Sequence, residues 1–212
     1  MVDEVVYSLW GSKECEWSAK NSEGRSGGIL TVWNKDNITP ILSFRGKGYL
    51  GVKAWRKDKV IYFIKVYSPC ALNEKRMLWS ELLVLKNKYG DGEWIMGGGD
   101  FNAVREVEER WGRSANSRQT EIEEFNTFID CMELLDVPVL GNKHTWINSN
   151  GTASSRLDRF LLSEEIVQSW NVMAQRFGNR DISDHRPIWI LTNKLNWGPK
   201  PFKVFKPWFE HP

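Results

Sequence analysis

Apolar residues recur along this chain with two different periods. Residues 29–33, 49–55 and 60–67 (VIYFIKVY) are short runs rich in β-branched and aromatic types, which predicts strands. The charged turn at residues 56–59 joins the last two as a hairpin, and the second strand alternates too little to face water. It is expected inside a sheet covered on both faces. Residues 21–28 form a loop by their Ser, Gly and Asn content. Leu78, Leu82, Leu85 and Tyr89 instead fall at i, i+4, i+7 and i+11, one stripe of a helix that Asn73 is placed to cap and Gly90 to stop.

Further along, residues 93–96 read as a short strand running into Gly97-Gly98-Gly99, a segment too flexible to continue a sheet and suited to close approach by another group. Thr120 with Glu123 three residues on is a capping box for a second helix, whose buried face carries Ile122, Phe125, Ile129 and Met132; Pro138 bars its extension. Residues 144–148 and 156–162 form a predicted hairpin around the polar loop 148–155, followed by a short helix after Ser163 and a last strand at 187–191. The order of strands and helices lacks simple βαβ regularity, which predicts a layered α/β sandwich with mixed sheets. From Asn193 onward prolines and lysines alternate with aromatics, so residues 193–212 are expected to be a linker or tail outside a domain spanning 1–192.

Composition narrows the class. The chain has 212 residues, 41% of them hydrophobic, enough for one sizeable core. Its longest apolar run, residues 60–64, is far short of the roughly 20 residues a membrane helix needs, and the acidic pair Asp3 and Glu4 speaks against a secretory signal. Three widely spaced cysteines with no C-x-x-C pair argue against a disulfide framework or a structural zinc, and predict a reducing, intracellular setting. Formal net charge is only +2, so any basic surface is local. Arg45, Lys47, Lys53, Arg56, Lys57, Lys59 and Lys65 against Asp58 alone make such an excess, with a lysine-guarded hairpin edge as the plain alternative. Most of the 12 tryptophans stand singly in apolar runs, as core or rim residues do.

Three patches hold acids, amides or a histidine at predicted strand ends. In Asp100-Phe101-Asn102, residues two apart point the same way in an extended chain, so Asp100 and Asn102 can face one ligand while Phe101 anchors in the core; a simple turn is the alternative. In Arg156-Leu157-Asp158-Arg159-Phe160, an acid inside an apolar strand needs a partner, and Arg156 or Arg159 is the structural candidate. In Ser183-Asp184-His185-Arg186-Pro187, an acid beside a histidine before a buried strand suits metal ligation and proton transfer, or loop capping.

Taken in order, Tyr67-Ser68-Pro69, Gly99-Asp100-Phe101-Asn102, Arg156-Leu157-Asp158-Arg159-Phe160-Leu161 and Ser183-Asp184-His185-Arg186-Pro187 resemble the endonuclease/exonuclease/phosphatase superfamily. More narrowly, Gly24-Arg25-Ser26-Gly27-Gly28-Ile29-Leu30, Lys143-His144-Thr145-Trp146 and Trp197-Gly198-Pro199-Lys200-Pro201-Phe202 are similar to the endonuclease domain of plant LINE-type non-LTR retrotransposons. The resemblance implies a two-sheet, four-layer α/β sandwich that hydrolyses phosphodiesters with Mg²⁺ or Mn²⁺ where loops of the two sheets meet. By matching motif, Asp100 orients or deprotonates the water and Asn102 bonds the phosphate or nucleophile. Asp158 holds His185, His185 contacts the scissile phosphate, Tyr67 assists it, and Asp184 lies on the metal side. His144 stands where an aromatic is expected and is read as a packing substitute. DNA contact falls to Lys53, Arg56, Lys57 and Lys59 of the basic hairpin, to Asn148 and Asn150 of the polar loop, and to Arg156.

The resemblance also implies a W-N-x-R-G strand and a Q-E-T-K segment whose Glu is the principal metal ligand. Neither is in this chain, so the first β-α-β unit is expected to be missing and metal affinity to fall. Three functions follow as expectations: a DNA-nicking endonuclease of a retroelement, nuclear and followed in its family by a reverse transcriptase; a remnant that only binds nucleic acid; or a phosphatase on the same scaffold.

Overall fold

The computed structural model describes residues 2–22, 27–90, 92–112 and 118–192. Helix α1 (Val2–Trp10) precedes a hairpin of β1 (Cys15–Lys20) and β2 (Ile29–Asn34). Then come β3 (Thr39–Gly46), β4 (Tyr49–Arg56) and β5 (Lys59–Val66), an antiparallel meander in which the predicted hairpin runs in unbroken register from Tyr49↔Val66 to Arg56↔Lys59. Helix α2 (Leu72–Tyr89) carries the chain back, so that β6 (Glu93–Asp100) lies parallel to β5. After β7 (Arg110–Gly112) and α3 (Gln119–Cys131) come the short strands β8 (Leu135–Asp136), β9 (Val139–Leu140), β10 (Trp146–Ile147) and β11 (Ala153–Ser155). Strand β12 (Asp158–Leu162), helix α4 (Glu164–Ser169), β13 (Val172–Phe177) and β14 (Ile188–Thr192) complete the described chain.

The main sheet has the order β3-β4-β5-β6-β12-β8. Its alternation sorts side chains onto two cores. Tyr62, Ile64 and Val66 face α2 and α3, where Leu78, Leu82, Phe125, Ile129 and Met132 fill the stripes that the spacing predicts. Trp79 stacks on Phe125 and Phe128 with centroids 5.6 and 5.8 Å away; each such buried side chain contributes roughly 1.5–3 kcal/mol. Ile61 and Phe63 face the other way, toward α4, β13 and β14 on one side and the β1–β2 hairpin on the other. Strand β5 is covered on both faces, as its run of apolar residues requires. The architecture is the expected mixed α/β sandwich. The 193–212 tail and residues 23–26 of the glycine loop lie outside the described residues.

Four local expectations change. Asn73 and Thr120 lie inside the first turns of α2 and α3; Ala71 and Arg118 occupy the cap positions and make no side-chain cap bond. The glycine triplet does not end the sheet but forms the last half of β6. Glycine alone fits there: Gly98 sits at φ 64° in a bulge opposite Arg159 and Phe160, and a Cβ at Gly97 or Gly99 runs into the carbonyls of Arg159 or Val66. The 148–155 loop is closed by β10 and β11, which join β7 in a small sheet at the rim, while β12 pairs with β6 in the main sheet. The acid in β12 also finds a different partner. Arg159, fully buried, and Arg156 bind Glu109 and Asp136 at 2.6–2.8 Å, leaving Asp158 for the loop before β14.

Candidate active site

Strands β5 and β6 are parallel and β12 is antiparallel to both, so the end of β5, the end of β6 and the start of β12 meet at one edge of the main sheet. Tyr67 continues β5 through a bridge to Asp100, and Asp100 is the register partner of Asp158. His185 arrives from the segment before β14, held by a bridge to Trp146. Tyr67, Asp100, Asp158 and His185 line one cleft of about 370 Å³, together with Lys65, Gly99 and residues 28–30. Residues of all four ordered sequence motifs thus converge.

The polar contacts are directional. His185 Nδ1 lies 2.7 Å from Asp158 Oδ2, and Nε2, on the opposite side of the ring, is 3.9 Å from Asp100 Oδ2. Burial pushes the imidazole pKa down, but the hydrogen bond and charge of Asp158, with Asp100 and Asp184 behind it, outweigh that and raise it. Asp100 is the reverse case. Burial and the neighbouring Asp158 charge lift its carboxyl from 3.8 to about 6, against the opposing pull of the Asn102 N–H, His185 and Lys75. An acid near neutrality beside a histidine that favours its charged form is an arrangement chemically suited to proton transfer.

Phe101 is fully buried, as expected. Asn102 reaches its place by a different route than strand alternation. The strand stops at Asp100, and Asn102 sits at φ 50°, a left-handed position that asparagine tolerates. Its N–H donates to Asp100 Oδ1 at 2.7 Å and its Nδ2 to the Ser68 carbonyl at 2.7 Å, so its amide braces the two strand ends. Beneath it the buried Lys75 donates to the Asn102 carbonyl at 2.5 Å and pairs with buried Glu121 at 2.7 Å. Thr145 Oγ1 accepts the N–H groups of Leu157 and Asp158, both at 2.9 Å. The motif Lys143-His144-Thr145-Trp146 contains that threonine; nothing in the helical pattern singles out Lys75.

Other expected site residues lie elsewhere. Asp184 is turned out of the cleft and accepts the Trp146 indole N–H at 2.9 Å. Arg156 is not available to DNA in this arrangement, because its guanidinium is committed to Glu109 and Asp136. Lys53 lies over the Tyr62 and Tyr89 rings, Arg56 stacks on Trp170 at 4.5 Å, and Lys59 pairs with Glu93. With Lys57 these cluster around the β4–β5 turn, a strand length of roughly 25 Å from Tyr67. Asn148 and Asn150 bond to Ala153 and Thr152 and shape the rim loop, whose stem touches Asp184 and His185. His144 is half-buried against Ser154, 2.8 Å away, consistent with packing.

Among the described residues no three His, Cys, Asp or Glu side chains converge as a metal cage. Asp100 and Asp158 nevertheless fit a hard divalent ion in the manner usual for Mg²⁺, which takes one or two carboxylates and leaves water and substrate phosphate to fill the rest. The Asp100 carboxyl is raised first by burial and then by the Asp158 charge, and a bound divalent cation would offset both.

A mixed α/β sandwich of several sheets, with paired acids and a histidine where the strands of the main sheet end, is the architecture of the endonuclease/exonuclease/phosphatase superfamily. Within it the chain belongs to the endonuclease-reverse transcriptase family, which residues 61–189 match. Its fold is similar to that of the endonuclease domain of TRAS1, a telomere-specific non-LTR retrotransposon, with a TM-score of 0.66 at 12% identity over 92% of this chain and 91% of that one. An AP endonuclease from Leishmania major gives 0.62 at 14% identity over 88% and 73%. A Staphylococcus aureus β toxin mutant with bound magnesium ions gives 0.57 at 15% identity over 83% and 71%. No curated protein matches the sequence. No described helix is long and apolar enough to cross a membrane.

Proposed function

We propose that this chain hydrolyses the phosphodiester backbone of DNA, as the nicking endonuclease of a LINE-type retroelement. The observation that carries the reading is the meeting of Asp100, Asp158 and His185 on one edge of the sheet, with the His185 ring set between the two carboxylates. Asp100, titrating near 6, accepts a proton from the attacking water at neutral pH. Asp158 accepts the Nδ1 hydrogen of His185 and fixes the ring, so that Nε2–H is presented to a phosphate oxygen. Tyr67, exposed at the mouth of the same cleft, is placed to donate its hydroxyl to the phosphate. One P–O bond forms from water, whose proton goes to Asp100, and one to the leaving sugar oxygen breaks, that oxygen taking its proton from solvent at the open cleft. Asp158, with Asp100 beside it, would hold Mg²⁺ or Mn²⁺, which would supply charge neutralisation at the phosphate.

DNA is the partner this reading requires, the nucleus is the compartment that suits it, and the family's name supports a link to a reverse transcriptase in the native polypeptide. The rim loop with Asn148 and Asn150 adjoins the cleft and is suited to sensing groove shape rather than base edges. A second reading, nucleic-acid binding without cleavage, draws on Asp184: its outward turn leaves the cleft with two carboxylates on its wall. Nicking of supercoiled plasmid with Mg²⁺ or Mn²⁺, with EDTA, and by His185→Ala decides between them. Metal-dependent relaxation lost in the variant is expected; salt-sensitive DNA binding without any relaxation favours the second reading. Phosphate release from small monoesters without plasmid cleavage points to a phosphatase instead.

A further inference from the structure

Strand β5 carries one residue that departs from its own pattern. Tyr62, Ile64 and Val66 fill the helix-side core, and Ile61 and Phe63 fill the inter-sheet core. Strand alternation puts position 65 on the second of these faces, in line with Ile61, Phe63 and Tyr67. An apolar side chain suits that place, yet the residue is Lys65. Its ammonium finds only the Leu30 carbonyl, 3.4 Å away, at the outer limit of a hydrogen bond. Among the described residues no carboxylate comes within ion-pair distance of it.

Lys65 is half-buried, and an ammonium drawn partly out of water with no ion-pair partner carries a cost that nothing in the packing of β5 against β2 requires. Burial pulls its pKa below that of an ordinary lysine, with the Asp158 charge pulling back. Lys65 lines the same cleft as Tyr67, Asp100, Asp158 and His185. A phosphodiester entering there meets two acids on one wall, and a fixed cation is needed to offset them. Lysine is suited to this as a compact point charge.

We propose that Lys65 is a phosphate-binding residue of the cleft, whose ammonium takes a non-bridging oxygen of the DNA backbone and holds DNA there in the absence of a divalent ion. The inference rests on reading this cleft as a site for DNA phosphodiesters. It predicts residual, metal-independent affinity that a purely structural lysine does not produce.

The test is binding of a fluorescent DNA duplex by the full chain in EDTA over a series of salt concentrations, with thermal unfolding followed in parallel. Lys65→Met, of similar length and shape, is expected to weaken binding about tenfold and to lower the number of counter-ions released by about one. Lys65→Arg is expected to restore most of the affinity, and Lys88→Met, on the exposed end of α2, to change neither quantity. Binding by Lys65→Met equal to wild type, with the same salt slope, overturns the proposal and leaves the DNA reading of the cleft intact. A loss that follows a fall in melting temperature and is not restored by arginine also overturns it, assigning Lys65 to holding Leu30. If the wild-type chain binds no DNA at any salt concentration, with or without Mg²⁺, the reading of the cleft itself falls and the proposal with it.

Discussion

Asp100 and Asp158 are cross-strand partners, the last residue of β6 set opposite the first of β12. Two carboxylates in that relation repel, and the fold divides the consequence unequally. Both are 8% exposed, but Asp158 receives the hydrogen bond from His185 Nδ1, whereas burial first and the Asp158 charge second raise the pKa of Asp100. The same asymmetry that makes Asp100 a base near neutral pH makes it a cost to folding.

That cost has a defined pH window. Asp100 titrates near 6 when folded against 3.8 ordinarily, so the folded state holds its proton more tightly than the unfolded chain. Stability from this group is fully present below about pH 4 and lost as pH rises through about 6, a difference of about 3 kcal/mol at most. Asp100→Asn keeps an oxygen to accept the Asn102 N–H and removes the charge. It is expected to raise the denaturant-derived unfolding free energy by about 1–3 kcal/mol at pH 8 and to change it little at pH 4, while abolishing nicking. An equal gain at both pH values contradicts this account of the carboxyl.

Asp158→Asn tests the other half of the pair. With the Asp158 charge gone, burial is the largest influence left on His185, and its imidazole pKa is expected to fall below 6.5. The Asp100 pKa falls as well, because its neighbour's charge is gone. The ring then loses both its charge and its orientation, and nicking is expected to drop on the order of a hundredfold or more. NMR titration of the imidazole and carboxyl resonances reads the first two effects, and plasmid relaxation the third. A His185 pKa unchanged in the variant removes Asp158 from its assigned role.

The strands and helices were legible wherever one period dominated. The stripe Leu78, Leu82, Leu85, Tyr89 and the doubly buried β5 follow from side-chain spacing alone, because burial of those faces outweighs everything else locally. The cap assignments failed for the opposite reason. A cap bond is worth about 1 kcal/mol, and the first turns of α2 and α3 are instead tied together by the buried Lys75–Glu121 pair, from which Lys75 also donates to the Asn102 carbonyl. Site motifs were legible as motifs, yet their geometry was not. Nothing local says that Arg156 and Arg159 turn to Glu109 and Asp136, partners 20 to 50 positions distant that leave Asp158 for His185. Asp184 shows the same limit, since its partner Trp146 lies 38 residues away.

The glycine triplet shows how closely the site depends on the main chain. Gly99 precedes Asp100, and its Cα faces the carbonyl of Val66, the residue before Tyr67; a methyl group there collides with backbone that cannot rotate away. Gly99→Ala must push β6 from the end of β5, which opens the Tyr67–Asp100 bridge and shifts Asp100 relative to Asp158. Overpacking of this kind costs about 1–3 kcal/mol, while a displacement of the order of 1 Å costs roughly a hundredfold in rate. Activity is therefore expected to fall much further than stability, the variant remaining folded at 25 °C but failing to nick. Gly90→Ala is the matched control, since the closest atom to its added Cβ is the Lys86 carbonyl at 3.9 Å, an ordinary contact. It should leave both quantities within error of wild type. If Gly99→Ala nicks plasmid at the wild-type rate, the close approach of β5 and β6 is not what sets the geometry of the acids.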